Sequence, residues 1–145
     1  MSNIIVVGVD GSEASKDALG WASNQAELTG ASLHAVMTWD VPMGSYGLAI
    51  PLPLDLNLER DSRRVLDQTI AETLGEHGTA KIRSTVVEGH PAVELLRAAE
   101  DAELLVVGSR GHGAFTGMLL GSVSEHCVAH SPCPVVVVRR SAHPA

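Results

Sequence analysis

The chain has 145 residues, a length that suits one domain, and we predict a single domain over residues 1–145. A formal net charge of −7 leaves no basic surface for a nucleic-acid backbone and no cluster of Lys and Arg for a membrane surface, so neither partner is expected. The N-terminal segment lacks the features of a secretory signal, no apolar run approaches the ~20 residues of a membrane-spanning helix, and the two cysteines suit a reducing compartment, so the expected location is the cytoplasm.

Five apolar segments are predicted to form β-strands. Three of them are near-continuous apolar runs, which are typical of strands buried on both faces: Asn3 to Val9, Leu104 to Val107 and Pro134 to Val138. Two weaker strands, in which a titratable or charged residue interrupts the apolar pattern, are predicted at Ser32 to Thr38 and Ile82 to Val87.

Helical patterns separate these strands. The first helix is predicted from Ser12, a suitable N-cap residue, to Thr29, and Gly30 ends it. The third helix opens at Pro91, a residue type favoured at the first helical position, and the fourth covers Ser122 to His130. Strands that alternate with helices predict an α/β fold with an open, doubly wound parallel sheet.

The segment between the second and third strands is the least regular. A second helix is predicted from about Asp55 to His77, with its apolar face formed by Leu58, Val65, Leu66, Ile70 and Leu74. Before this helix, Asp40 to Pro53 is rich in Gly and Pro, which argues against helical structure. This earlier segment is interpreted either as a loop packed on the surface or as a ligand lid.

Open parallel sheets bind their ligands beyond the carboxyl ends of the strands, where the strand order reverses. Four segments follow predicted strands in this way: Asp10 to Ser12, Trp39 to Val41, Glu88 to His90, and a glycine-rich stretch that starts at Gly108. Gly89 and Pro91 flank His90, so the third segment is interpreted as a turn and a helix start rather than as an acid–base pair.

The stretch from Gly108 to Ser124, GSRGHGAFTGMLLGSVS, contains five glycines in seventeen residues. Glycine lets backbone N–H groups approach an anion, and a following helix adds unpaired N–H groups, joined here by the hydroxyls of Ser122 and Ser124. The stretch therefore predicts a phosphate site. Neither G-x-G-x-x-G nor a Walker loop is present, and the spacing is instead G-x2-G-x9-G-S, formed by Gly108, Gly111, Gly121 and Ser122.

This motif and its surroundings resemble the universal stress protein family, in its ATP-binding branch. The matching blocks are IIVVGVDGSEAS, EGHPAVELLRAAEDAELLVVGSRGHG and LLGSVSEHCVAHSPCPVVVVR, and they cover nearly the whole chain. The resemblance implies a Rossmann-like five-stranded sheet of the adenine nucleotide alpha hydrolase type, in the order 3-2-1-4-5, with helices on both faces. It also implies that ATP binds between the ends of the first and fourth strands. Mg²⁺ is expected with the ATP, because a triphosphate site in a chain with a net charge of −7 needs a cation.

The resemblance also assigns residues to this site. Asp10 would lie near the ribose or the adenine, next to the candidates Gly11 and Ser12, and Val41 would contact the adenine. The phosphate side would be lined by Gly108, Gly111, Gly121, Ser122, Val123 and Ser124. Further candidates in the same glycine-rich stretch are Arg110, His112 and Gly113.

Several candidates also have simpler explanations. Asp10 either contacts the nucleotide or is a partner of Ser12 at the start of the first helix. Arg110 either neutralises phosphate or is a solvated loop charge, since Mg²⁺ can supply positive charge. His126 and His130 lie one turn apart near both cysteines, but a structural zinc needs four ligands and the set is incomplete, so no metal site is predicted.

The expected function is that of an ATP-binding universal stress protein. In it the bound nucleotide would switch a conformation or a surface that an unknown protein partner reads. The alternative is a slow ATPase or a nucleotidyl-transfer enzyme on the same fold. The H-x-G-H and S-G-G-x-D-S signatures of such enzymes are missing, so no catalytic residue is assigned.

In the family's strand order, the valine strand Val135 to Val138 lies at the edge of the sheet. An exposed, all-valine edge invites uncontrolled pairing unless something covers it. Cover by the C-terminal tail is one solution. A homodimer in which this strand lies against its mate is the expected one, as the family commonly shows.

Overall fold

The computed structural model describes residues 3–40, 57–75, 82–109 and 120–140. Within these ranges, strands and helices alternate along the chain. Their bounds are β1 (Ile4–Gly8), α1 (Glu13–Thr29), β2 (Ser32–Trp39), α2 (Leu58–Leu74), β3 (Ile82–Glu88), α3 (Pro91–Ala99), β4 (Leu104–Gly108), α4 (Ser122–His130) and β5 (Val135–Val138). The predicted strands and helices are all confirmed as elements.

The five strands form one parallel sheet in the order β3-β2-β1-β4-β5, as predicted. The central strand is β1, whose Val7 pairs with Ala35 of β2 on one side and with Val106 of β4 on the other. From β1 the chain moves outward to β2 and β3, and it then returns to the other side of β1 to form β4 and β5. This reversal places the carboxyl ends of β1 and β4 side by side.

Buried apolar residues form one cluster on each face of the sheet. The first cluster packs α1 and α2 against one face, and Ile5 and Leu66 are among its members. The second packs α3 and α4 against the opposite face, with Val6, Leu95 and Cys127 buried. Successive side chains of a strand point to opposite faces, so the neighbours Ile5 and Val6 enter different clusters. Helices therefore cover both faces, as predicted.

The ends of α1 are specified by the local sequence. Ser12 has an extended backbone, and its hydroxyl oxygen accepts a hydrogen bond from the N–H of Ser15 at 3.2 Å. At the other end, Gly30 has φ +76°, a conformation that glycine adopts without strain, and its N–H donates to the carbonyl of Ala26. These two caps confirm the predicted limits of the first helix.

The second helix differs from its predicted limits. Asn57 has an extended backbone and its side chain accepts a hydrogen bond from the N–H of Arg60 at 2.9 Å, so α2 begins one residue later, at Leu58. The helix ends at Leu74, before Gly75 with φ +57°. The prediction of a helix from about Asp55 to His77 was therefore too long, and both of those residues lie outside the described ranges.

The buried face of α2 also differs from the prediction. Val65, which was expected to face the core, is 38% exposed, whereas Leu66 is fully buried. Thr69 is buried as well, because its hydroxyl donates to the carbonyl of Val65 at 2.7 Å and so has a partner within the helix. A pattern that counts apolar residues alone does not detect a buried threonine of this kind.

Of the segment from Asp40 to Pro53, only Asp40 falls within the described ranges. The choice between a surface loop and a ligand lid therefore stays a prediction. Among the helices of the described ranges, none has both the length and the apolar character that a bilayer-spanning helix requires.

Candidate functional site

The start of α1 lies directly against the end of β4. At Gly108, the last residue of β4, an added Cβ would lie 2.8 Å from the backbone oxygen of Ala14. A helix backbone cannot move aside as a flexible side chain can, so position 108 requires glycine for packing as well as for any approach of a phosphate. This contact brings the first turn of α1 to the point where the glycine-rich stretch begins.

Three residues after β1 form a closed set of hydrogen bonds, which we name the Asp10 ring: Asp10, Ser12 and Ser15. The Oδ1 of Asp10 accepts from the N–H of Ser12 at 2.9 Å and from the Ser12 hydroxyl. The Ser12 oxygen accepts from the N–H of Ser15 at 3.2 Å. The Ser15 hydroxyl completes the ring, because its oxygen accepts from the N–H of Asp10 at 3.3 Å and its proton goes to the carbonyl of Ser12 at 2.9 Å.

The hydrogen bonds of Asp10 bear on its two expected roles, as a nucleotide contact or as a partner of Ser12. Its carboxylate is a partner of Ser12 at the start of α1, which confirms the simpler explanation. Gly11 lies between them with φ +84°, and this positive φ allows the chain to turn from β1 into the helix. A role in binding a nucleotide is compatible with the ring and stays a prediction.

The described ends of the glycine-rich stretch meet at the carboxyl edge of the sheet. The N–H of Gly121 donates to the carbonyl of Ser109 at 2.7 Å, and the N–H of Ser109 donates to the carbonyl of Val138 at 2.9 Å. The Ser124 hydroxyl donates to the carbonyl of Gly108. These bonds fix the start of α4 beside the end of β4, so the two ends of the G-x2-G-x9-G-S motif lie together, next to the Asp10 ring.

The start of α4 is suited to an anion. Gly121 is the N-cap residue and has no side chain with which to cap the first turn. The first N–H groups of a helix have no partner within the helix, and the aligned peptide dipoles place about half a positive charge at this end. The residues that carry these N–H groups are Ser122, Val123 and Ser124. An anionic oxygen at this position would accept hydrogen bonds from the backbone itself.

The Ser124 hydroxyl lies in a different place from the one expected. The sequence suggested that it donates to phosphate, but Ser124 is 4% exposed and its hydroxyl donates to the Gly108 carbonyl instead. What Ser124 can offer a ligand is its backbone N–H. The remaining predicted site residues lie outside the described ranges: Val41, Arg110, Gly111, His112 and Gly113.

The segment after β3 has a structural role, as predicted. Gly89 has φ +149°, and the Nδ1 of His90 accepts a hydrogen bond from the N–H of Ala92 at 3.2 Å, which caps α3. Glu94 lies beneath this turn, mostly buried, and forms an ion pair with Arg97 at 2.6 Å. The groups after β3 thus have partners within the turn and the helix.

The histidines and cysteines near the end of α4 do not form a larger cluster. The rings of His126 and His130 lie 4.6 Å apart, centroid to centroid, and within the described part of the chain no group of three or more potential ligand side chains is present. Cys127 is fully buried, and burial raises the pKa of its thiol to about 11. Cys133 is half-buried, and its N–H donates to the Ser131 hydroxyl oxygen at 3.2 Å.

Similarity to known proteins extends over nearly the whole chain. The model of the universal stress protein family matches residues 1–139. A universal stress protein of Mycolicibacterium smegmatis is 36% identical in an alignment of 140 positions, which covers 93% of this chain and 45% of the relative. The chain thus spans about half the length of that mycobacterial relative. A universal stress protein of Thermus aquaticus is 36% identical over 141 residues and is covered completely, together with 96% of this chain.

A solved structure of a universal stress protein is similar to this chain as well. The crystal structure of a universal stress protein in complex with cAMP is similar to this chain with a TM-score of 0.69 and 26% identity, covering 93% of this chain and 95% of that one. The family model, the relatives and the sheet order lead to the same assignment. The chain belongs to the universal stress protein family.

Proposed function

We propose that this protein binds ATP, with Mg²⁺, at the carboxyl edge of the sheet between β1 and β4, and that it works in the cytoplasm as a nucleotide-dependent switch. The observation that carries the proposal is the hydrogen bond from Gly121 to Ser109, which joins the two ends of the glycine motif beside the Asp10 ring. A relative with 26% identity is described as a complex with cAMP, which supports an adenine nucleotide as the ligand.

The phosphates would bind at the start of α4. The backbone N–H groups of Ser122, Val123 and Ser124 are the donors that this helix end supplies, and Gly121 leaves them uncovered. From the glycine-rich stretch we assign Arg110, Gly111, His112 and Gly113 to the same side of the nucleotide. The ribose would lie at Asp10, and the adenine at Val41.

Magnesium suits this arrangement on charge grounds. The chain has a formal net charge of −7, so a triphosphate needs a neighbouring cation, and Mg²⁺ is commonly held by substrate phosphates and one or two carboxylates. The carboxylate of Asp10 is assigned to the ribose, so phosphate oxygens and water would be the ligands of the ion. When bound, the ion would neutralise phosphate charge.

We further propose that the bound nucleotide is held rather than efficiently turned over. An ATPase needs a group that takes a proton from the attacking water. The Oδ1 of Asp10 already accepts two hydrogen bonds from Ser12, so this oxygen is poorly placed to act as a base. A bound nucleotide stabilises only the folded state that binds it, which is the physical basis for a switch.

The test is to titrate the nucleotide-free protein with ATP and MgCl₂ in a calorimeter, and to denature freshly purified protein and identify any released small molecule by mass. We expect saturable binding, and an increase in melting temperature of the size that about 2.7 kcal/mol produces at a hundredfold excess of ATP over Kd. Gly121→Val should abolish binding, because a β-branched side chain would cover the first-turn N–H groups, while Gly20→Ala, in the middle of α1, should leave binding intact.

Absence of heat, of stabilisation and of co-purified nucleotide would contradict the proposal. The rate of phosphate release distinguishes the nucleotide-dependent switch from the ATPase alternative. Turnover well above about one phosphate per minute at each site would favour the slow ATPase alternative.

We also propose that the protein forms a homodimer through β5. This strand is at the edge of the sheet, and each of its four residues, Val135 to Val138, is half-buried in the single chain. Pairing of two such edges satisfies exposed backbone groups and removes apolar surface from water.

A further inference from the structure

We infer that Ser15 is a positioning residue for nucleotide recognition, which fixes Asp10 so that its carboxylate accepts hydrogen bonds from the ribose hydroxyls. The inference rests on the proposed ATP site and adds to it a residue outside the nucleotide motif. Ser15 is 4% exposed, so its side chain lies beneath the surface of the proposed site and acts through Asp10 rather than on the ligand.

The position of Ser15 in the hydrogen-bond ring is unlike that of an ordinary helix serine. A serine in the first turn commonly bonds back to a carbonyl three or four residues earlier, as Ser15 does to Ser12 at 2.9 Å. Here the same oxygen also accepts the N–H of Asp10 at 3.3 Å, five residues earlier and outside the helix. The serine therefore joins the backbone of Asp10 to the first turn of α1.

The ring fixes both ends of Asp10. Its N–H is held by Ser15, and its Oδ1 is held by the N–H and hydroxyl of Ser12. The Ser12 hydroxyl can donate to Asp10 in this way while its oxygen accepts the N–H of Ser15. Each bond orients the donor or acceptor of the next one, so loss of a single hydroxyl loosens the whole set.

The surroundings make Ser15 the member of the ring that the protein can least replace. Asp10 and Ser12 are partly exposed, so water can take the place of a lost partner. Next to Ser15, the backbone of Ala14 lies against Gly108, where an added Cβ would come within 2.8 Å of the Ala14 oxygen. This contact leaves little room for the first turn of α1 to adjust. The Ser12 carbonyl keeps the N–H of Lys16 as a donor. Removal of the Ser15 hydroxyl therefore acts mainly by taking away the acceptor of the Asp10 N–H.

The experiment compares ATP with dideoxy-ATP, which lacks both the 2′ and 3′ ribose hydroxyls, in the wild-type protein and in Ser15→Ala. In the wild type, we expect dideoxy-ATP to bind about tenfold more weakly than ATP, because two hydrogen bonds to Asp10 are lost. In Ser15→Ala, we expect ATP binding to weaken by about fivefold and the binding of dideoxy-ATP to change little. The ratio of the two dissociation constants therefore falls toward one.

Two control variants separate positioning from general stability. Ser23→Ala removes a second buried serine from α1, two turns further along, and should leave the ratio between the two ligands as in the wild type. Ser15→Thr restores the hydroxyl and should restore the ratio. Melting temperatures of all variants report stability, which a purely structural role of Ser15 would change without changing the ratio.

Each outcome has a distinct meaning. If the wild type binds neither ligand, the proposed ATP site fails and the inference fails with it. If the wild type binds ATP but does not discriminate dideoxy-ATP, or if Ser15→Ala keeps the wild-type ratio, the ATP site stands and the role of Ser15 is overturned.

Discussion

His34 shows how a single side chain can make the stability of this sheet depend on pH. Its Nε2 lies 2.8 Å from the Oγ1 of Thr85 on the neighbouring strand, and its register partner on β3 is Arg83. Burial, and then the positive charge of Arg83, lower the pKa of His34 below the ordinary value of a histidine. The folded protein therefore prefers the neutral ring.

We predict that the protein loses stability as the pH falls through about 6.5, the ordinary pKa of a histidine in an unfolded chain. Because the pKa of His34 is lower in the folded state, the unfolded state takes up the proton first, and acid favours unfolding. The measurement is the melting temperature between pH 7.5 and pH 5.

His34→Gln keeps a hydrogen-bonding group but cannot titrate, so its melting temperature should fall less over this range. His126→Gln, which changes an exposed histidine of α4, should behave as the wild type does. Equal pH dependence in His34→Gln and the wild type would show that other groups cause the effect.

At the level of single residues, the sequence predicted the candidate site only in part. Asp10 was identified by its position after an apolar run, and the structure shows its carboxylate bonded to Ser12 at the start of α1, while its role toward a nucleotide stays a prediction. Ser15 was missed, although its spacing of three residues from the N-cap Ser12 is that of a capping box. The Ser124 hydroxyl was assigned to phosphate because its bond to Gly108, sixteen residues away, is a tertiary contact that no local pattern reveals.

At the level of elements, two glycines differ in whether the surrounding structure leaves room for a side chain. Gly108 ends β4 against the backbone of Ala14, whereas Gly20 lies inside α1 with its nearest neighbour, the Cγ2 of Thr73, 3.9 Å from where a Cβ would be. Close packing therefore requires glycine at position 108. At position 20 there is room for a side chain, and glycine lowers the helix propensity of α1.

We predict that Gly20→Ala stabilises the protein by about 0.5–1 kcal/mol, because alanine loses less conformational entropy in a helix and meets no atom too closely here. Gly108→Ala should destabilise it by about 1–3 kcal/mol, because the new methyl group overlaps a backbone carbonyl that cannot shift. Denaturant unfolding of both variants measures these changes. A neutral effect of Gly108→Ala would mean that β4 and α1 can separate without cost.

The elements themselves were predictable where their signals are local. Ser12 and Gly30 mark the ends of α1, and Pro91 begins α3, because caps and fixed φ angles act within a few residues. The limits and buried face of α2 were not predictable in the same way. The start at Leu58 depends on the side chain of Asn57, and the burial of Thr69 depends on a hydrogen bond that satisfies its hydroxyl.

At the scale of the whole molecule, the parallel sheet follows from the alternation of strands and helices, while the strand order came from the resemblance to a family. The order has a consequence for β5. The carbonyl of Pro134 accepts a hydrogen bond from Leu105 of β4, and that of Val138 accepts one from Ser109, directly after β4. In a strand, neighbouring residues direct their backbone groups to opposite sides, so Val135 and Val137 present theirs to the open edge.

We predict that Val137→Pro converts the proposed homodimer to a monomer, because proline removes an outward N–H that a pairing strand would need. The ladder to β4 does not use this N–H, so the fold should persist. The measurement is the molar mass by light scattering, with circular dichroism to follow the fold. Val137→Thr keeps the N–H and should remain dimeric. If the wild type is a monomer, or if Val137→Pro still dimerises, the interface lies elsewhere.

The residues that follow the strands are held largely by main-chain bonds: Val9 to Val36, Gly89 to Trp39, Ser109 to Val138 and Gly121 to Ser109. Bonds of this kind do not depend on which side chains the residues carry. Apart from the Asp10 ring, Ser124 and Gly108, the carboxyl edge of the sheet can therefore keep its shape when side chains are changed. This makes the edge a suitable place to engineer affinity for a different small molecule without rebuilding the sheet beneath it.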